Sequence, residues 1–320
     1  MMRLRELSAQ EYAANVLPQT AKLWAGRRDF RTYADQTLEI AQSAYGRRNY
    51  RSVGLYDGSQ LVASMKRYAR GVRFREERLR GFGIGAVFTP KAFRGRGYAS
   101  AMLAMMLDQA KEHGDDFAYL FSDIRPQFYA ELGFASLPSR TISLRADSLA
   151  HRRIIVSRLE DTDWNGVRRC FDAGERDRTW SFTRPPLVWD WLRLRMRLNC
   201  EHPIGTDAHL VIRRGRTILA YVFGMRAPER DAYLLDEFGY ADDAAAALVP
   251  ALLRSAAGDL RRIIGWLPLP GARELLPHGS IRKRTDAISM VAPLSARGKR
   301  WLALAQQPSS ADGIWSTEHI

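Results

Sequence analysis

Three glycines alternate along one segment, Gly81, Gly83 and Gly85, ahead of the apolar run Ala86-Val87-Phe88-Thr89-Pro90. Side chains of a strand point to opposite faces in turn, so glycines two apart strip one face and let another group lie close against the backbone. A short basic connection then leads to Arg94-Gly95-Arg96-Gly97-Tyr98-Ala99-Ser100. Behind it Ala99, Met102, Leu103, Met106, Leu107 and Ala110 recur with helical spacing, which puts the glycines at a helix N-terminus. Unpaired amides and the positive end of the helix dipole converge there, and Arg94 and Arg96 add charge. Strand, basic glycine turn and helix together describe a cradle for pyrophosphate. Taken alone, Arg94 to Gly97 reads equally as a solvated loop before a surface helix, and it is the preceding strand that favours the cradle. A Walker-type loop is excluded because no Gly-Lys-Ser/Thr occurs. A dinucleotide fingerprint fits less well, since the spacing is not Gly-x-Gly-x-x-Gly and no acidic ribose ligand follows.

The elements that must position this turn are legible on both sides. Ser8-Ala9-Gln10-Glu11 has capping-box spacing and predicts an opening helix, and a second helix is expected over 32–44. Val53 to Tyr56 and Leu61 to Met65 read as a hairpin around Asp57-Gly58. A strand-like stretch over 72–89 leads into the helix at 98–112. A strand at 117–121, a short helix at 126–132 and a strand at 140–144 close the first half. The polar run from Asp147 to Arg153 marks a boundary, giving domains over 1–148 and 149–320. The second half restarts with a helix opened by Asp161-Thr162-Asp163-Trp164 and two strands turning at Arg213 to Arg216. A strand at 232–238, a helix at 244–257 and strands at 263–266 and 288–291 follow. The similar order implies two copies of one α/β fold with mixed sheets.

Composition bounds the function. The 320 residues suit two domains, and 46% hydrophobic and 10% aromatic residues suit packed cores. No apolar run is long enough to span a membrane and the N-terminus lacks a signal-peptide core, so a cytoplasmic protein is expected. Cys170 and Cys200, the only cysteines, are too few for a disulfide scaffold or a four-thiolate zinc site; no metal is expected. The net charge of +14 would favour nucleic acid, but six of the 49 basic residues are lysines and the 43 arginines are spread through both halves. That distribution argues against nucleic acid while still attracting phosphorylated ligands.

At Arg94, Gly97 and Ala99 the sequence resembles the GNAT (GCN5-related N-acetyltransferase) superfamily, whose acetyl-CoA motif is Arg/Gln-x-x-Gly-x-Gly/Ala. A second match lies downstream: Ser122 stands where the family usually has Asn, and Tyr129 to Phe134 completes a Tyr-x-x-x-Gly-Phe ending. The resemblance implies a GNAT fold, acetyl-CoA as acyl donor, and cofactor contacts from Val87, Phe88, Thr89, Arg94, Gly95, Arg96, Gly97, Tyr98, Ala99, Ser100 and Ser122. An amine attacking a thioester needs a backbone donor for the oxyanion and an acid for the departing thiolate. By resemblance an amide near Val87 or Phe88 holds the carbonyl and Tyr129 is the acid. Arg125 replaces a small residue of the family pattern. The strand from Gly81 to Thr89 has no acid to serve as base, and Glu76 and Glu77 are the nearest. Eis-like tandem GNATs instead bring the chain's C-terminal carboxylate into the site, which singles out Ile320 at the end of Trp315-Ser316-Thr317-Glu318-His319-Ile320.

The second half lacks a cradle. Where one should join strand to helix it reads Phe238-Gly239-Tyr240-Ala241-Asp242-Asp243, and two aspartates would repel pyrophosphate. A degenerate domain that shapes the acceptor pocket follows, with Trp180, Trp189 and Trp191 either lining that cleft or filling a core. The expected function is acetyl transfer to a primary amine, a small molecule in preference to a protein, by direct attack on the thioester. The competing expectation is a non-catalytic acyl-CoA-binding regulatory protein.

Overall fold

The computed structural model describes the chain apart from residues 27, 124, 151, 177, 200–204, 267–274, 277–278 and 308–313. Cys200 and much of the segment after the strand at 263–266 therefore lie outside the described residues. The chain opens with strand β1 (Met2–Leu7), which the sequence reading missed, and then enters a helical hairpin. The Ser8–Glu11 capping box starts α1 (Ala9–Asn15), Pro18 in the first turn of α2 (Leu17–Trp24) breaks the helix in two, and α3 (Phe30–Gln42) and α4 (Ala44–Asn49) follow.

Strands β2 (Tyr50–Asp57), β3 (Gln60–Phe74) and β4 (Glu77–Phe88) form an antiparallel meander. The stretch read as one strand over 72–89 is thus the end of β3, a tight turn at Arg75 and Glu76, and β4; alternation is blind to a two-residue reversal without glycine. Helix α5 (Tyr98–Glu112) buries Met102, Leu103, Met106, Leu107 and Ala110 on this sheet, as its spacing predicts. Strand β5 (Phe117–Ser122) runs parallel to β4, and α6 (Pro126–Ala130), β6 (Ala135–Ser136) and β7 (Arg140–Arg145) follow.

The second half contributes β8 (Val156–Arg158), α7 (Trp164–Glu175), β9 (Trp180–Phe182), α8 (Pro186–Asn199), β10 (Thr206–Asp207), β11 (Leu210–Arg214), β12 (Thr217–Ala227) and β13 (Ala232–Tyr240). The single helix expected at 244–257 is two, α9 (Asp243–Ala246) and α10 (Val249–Ala257), divided ahead of Pro250. Strands β14 (Arg262–Trp266), β15 (Ser280–Lys283) and β16 (Ile288–Pro293) and helix α11 (Ala296–Ala305) complete the elements used below.

Two mixed sheets result, ordered β1-β2-β3-β4-β5-β16-β6 and β15-β7-β14-β13-β12-β11-β8. Each holds one parallel pair, β4 with β5 and β13 with β14. The halves exchange equivalent strands across the 148/149 boundary. Strand β16 enters the first sheet between β5 and β6, and β7 enters the second between β14 and β15. The strand at 140–144 therefore does not close the first sheet, and that at 288–291 does not belong to the second. Hydrophobic pattern specifies a strand but not which sheet edge it meets, so chain order misassigned both. Strand β9 adds a further crossing by pairing with β3.

Candidate active site

Strands β4 and β5 pair from Gly81 with Phe117 to Ile84 with Leu120, and no further. Strand β4 continues to Phe88 and β5 to Ser122, so the two part beyond Ile84. At the parting β4 bulges: Ser64 pairs with Phe88 and Lys66 with Gly85, leaving Ala86 and Val87 opposite Met65 alone. Ala86 takes the left-handed φ of 50° that such a bulge needs. The bulge re-aims the backbone around Val87 at the point where β5 leaves, which is where a free amide for a carbonyl oxygen was expected.

The two faces of β4 have different neighbours. Phe82 and Ile84 pack with α5 in the core, while a Cβ on Gly83 would meet the Ile320 side chain at 2.2 Å and the Tyr119 ring at 2.8 Å. A Cβ on Gly85 would come 3.2 Å from Tyr68, 3.6 Å from the Ile320 carbonyl oxygen and 3.7 Å from its carbon. The glycine-stripped face is thus covered by aromatic rings and by the chain's own C-terminal residue. On the α5 face lies the basic turn. Gly95 and Gly97 both have φ of 77°, which side chains with a Cβ avoid, and a Cβ on either would meet nothing within 4 Å. Gly97 caps α5 with no side-chain hydrogen bond, so the first amides of the helix, from Tyr98, Ala99 and Ser100, open towards this space. Arg94 and Arg96 are exposed beside it, and Arg94 Nε donates to the Thr89 carbonyl at 3.1 Å, closing the loop. The Tyr98 hydroxyl fixes the helix start by donating to Asp57 at 3.0 Å. Ser122 is buried and its Oγ has no hydrogen-bond partner. An open left-handed glycine turn, a parted strand pair and an orphaned hydroxyl fit a pyrophosphate with an extended amide-bearing arm.

Tyr129 on α6 packs edge-on against Phe128 and Phe134. Burial and then the nearby Asp123 carboxylate raise its pKa, so the phenol keeps its proton at neutral pH and is a donor. Glu76 and Glu77 stand at the opposite end of β4, eight residues and about 26 Å from Gly85 at strand rise, and Glu77 pairs with Arg300 at 2.8 Å. They are not at the site.

The tail reaches the site through a buried network that the sequence reading missed. Trp315 packs on Phe238 at 5.0 Å and Ser316 Oγ donates to Asp236 at 2.6 Å. Arg184 donates to Glu237 at 2.9 and 2.6 Å, to Glu318 at 2.7 Å and to Thr317 at 2.8 Å, and Arg70 pairs with Glu318 from the first sheet. Two guanidinium groups and two carboxylates, each 4% exposed or less, tie β3, the segment before α8, β13 and the tail together. His319 lies between Phe121 at 4.9 Å and Trp266 at 5.9 Å. Burial, and then Arg195, push its pKa down to about 4.

Around Ile320 a cavity of about 90 Å³ is lined by Tyr50, Tyr68, Trp191, Lys66 and Arg195, together with Thr37 and Ile40. Trp191 therefore serves the cleft, stacked on Tyr45 at 4.9 Å, whereas Trp180 and Trp189 are buried in separate cores. A sequence signal existed for Lys66, Tyr68 and Arg70, which alternate on β3 opposite Gly85, Gly83 and Gly81. In the second half Asp242 accepts the Ala245 amide at 2.8 Å, so a carboxylate occupies the helix start where the first half has Gly97 and no side-chain cap.

Residues 17–137 match the family model for the acetyltransferase (GNAT) domain. They form a GNAT domain. No curated protein matches the chain. Among solved structures it is similar to a GCN5-related N-acetyltransferase from Anabaena variabilis, at 15% identity and TM-score 0.72 over 93% of this chain and 74% of that one. Eis1 from Mycobacterium abscessus gives 17% and 0.62 over 96% and 76%. A tandem GNAT protein from the clavulanic acid biosynthesis pathway gives 11% and 0.51 over 92% and 99%. At these identities the likeness shows fold, and it extends past the matched GNAT domain into the second sheet. Among the described residues no helix is long and apolar enough to cross a membrane, and no cluster of His, Cys, Asp and Glu could hold a metal ion.

Proposed function

We propose that the protein transfers the acetyl group of acetyl-CoA to a primary amine of a small molecule by direct attack. Residues 1–148 act as the catalytic domain and 149–320 as a degenerate GNAT-like domain that closes the acceptor side. The observation that carries this reading is the terminal residue, Ile320, lying over Gly85 where β4 and β5 part, on the face opposite the basic turn. Arg94, Arg96 and the amides of Gly95 to Ser100 hold the pyrophosphate, and Val87, Phe88, Thr89 and Ser122 line the path of the pantetheine arm. The Ile320 carboxylate takes the ammonium proton of the acceptor, whose nitrogen bonds to the carbonyl carbon. An amide at the bulge, from Val87 or Phe88, holds the carbonyl oxygen as charge develops on it. As the carbon–sulfur bond breaks, Tyr129 gives its proton to the thiolate, and the second proton leaving the attacking nitrogen passes to solvent, from which the tyrosine is reprotonated.

Calorimetric titration of acetyl-CoA into the full chain, at moderate salt to suppress general attraction to the basic surface, tests the reading. Saturable binding near one per chain is expected, and Gly97→Glu should lose it because a carboxylate enters the anion cradle. Absence of binding by the unaltered chain would remove the enzyme reading.

A further inference from the structure

Within that reading, we propose that the acceptor is a small amine bearing its own carboxylate, of the α-amino-acid class, held by Lys66 and Arg195. Both line the cavity at Ile320. Among the described residues neither forms an ion pair with a carboxylate, the chain's own C-terminus included. Their surroundings are aromatic. The Lys66 ammonium stands 5.2 Å from the Tyr12 ring and 5.6 Å from that of Tyr50, and the Arg195 guanidinium 4.6 Å from that of Trp191. Arg195 has one long hydrogen bond, 3.4 Å to the Thr317 carbonyl, which uses one of its five donors. A partly buried cation without a carboxylate is costly, and cation–π contacts offset part of that cost. Arg70 and Arg184, by contrast, each have a carboxylate partner, Arg70 in Glu318 and Arg184 in both Glu318 and Glu237. The Asp236 carboxylate is within electrostatic reach of Arg195, but it accepts its hydrogen bond from Ser316.

With one terminal carboxylate, the cavity carries two positive charges against one negative. An incoming amino acid balances this: its ammonium faces Ile320 and its carboxylate faces Lys66 and Arg195. A polyamine or aminoglycoside would place further positive charge against those two side chains. Size agrees, since about 90 Å³ is small against the roughly 300–1,000 Å³ of sites for larger ligands.

The test follows CoA release by the full chain with acetyl-CoA and the twenty proteinogenic amino acids, each beside its carboxamide, together with spermidine and kanamycin. Turnover of at least one amino acid is expected, with kcat/KM at least about tenfold above that of its carboxamide. Lys66→Met, which leaves the tail contacts untouched, and Arg195→Met should each shrink that preference. Turnover of carboxamides or polyamines without such preference, or a preference unchanged in both variants, would overturn the proposal while leaving acetyl transfer standing. Acetyl-CoA binding without turnover of any amino acid would overturn it too. Failure of acetyl-CoA to bind is the separate result that removes the underlying reading, and would overturn the assignment of an acceptor with it.

Discussion

Tyr129 carries an assignment that one atom can test. Its phenol is held above the ordinary tyrosine range by burial and then by Asp123, so it is a proton donor at neutral pH and stays one well into the alkaline range. Tyr129→Phe keeps the ring that packs on Phe128 and Phe134 and removes only the proton. A fall in kcat of about 10²–10⁴-fold is expected, the size of a lost general acid, with acetyl-CoA affinity little changed. Steady-state rates from pH 6 to 10 would check this, and undiminished turnover throughout would remove the role. At this scale the sequence was most informative for the basic turn, because Gly95 and Gly97 must be glycine for a backbone reason that needs no partner elsewhere in the chain. Lys66 carried only the signal of its alternation with Tyr68 and Arg70, and Arg195 was not legible, since nothing near it in sequence shows that β3 and α8 meet over the C-terminus.

The tail is the element on which the site depends. Glu318 joins Arg70 of the first sheet to Arg184, and removing one partner of a buried ion pair leaves an uncompensated charge. Glu318→Ala is expected to cost about 3–5 kcal/mol and to lower Tm accordingly. Deletion of Ile320 alone spares the network, so it should leave Tm close to that of the full chain while turnover collapses. Similar losses of turnover and stability in that deletion would make the terminus structural only. His319 sets a pH window for the same element. Its pKa of about 4 lies below the ordinary 6.5, so the unfolded chain binds more protons between these values. Its contribution is complete above pH 6.5 and is lost as pH falls towards 4, with Arg195, Asp123, Arg284 and Asp286 the charged groups that bear on it. Tm should drop between pH 7 and 5, and His319→Phe should flatten that drop; an equal slope in the variant would show that His319 is not the titrating group.

The whole molecule is tied by the exchanged strands. Residues 1–148 expressed alone lack β16, which would leave β5, with five of its six residues buried, as an open edge beside unfilled space. This fragment is expected to aggregate or to show no cooperative thermal transition, while the full chain melts in one; a soluble fragment with a sharp transition by circular dichroism would show that the exchange is dispensable. The sequence by itself determined the basic glycine turn and the helix behind it, many of the elements in each half, and the aspartates at the second helix start. Each is set by local rules, of backbone conformation, helical or strand periodicity, and charge at a helix end. Only the tertiary structure decided which sheet receives β7 and β16, that the glycine-stripped face of β4 is covered by Ile320, and that Trp191 and Arg195 stand over it. Those are long-range pairings, and a hydrophobic or charged pattern states that a residue wants a partner without stating which of several equivalent edges and faces, far apart in the chain, will supply it.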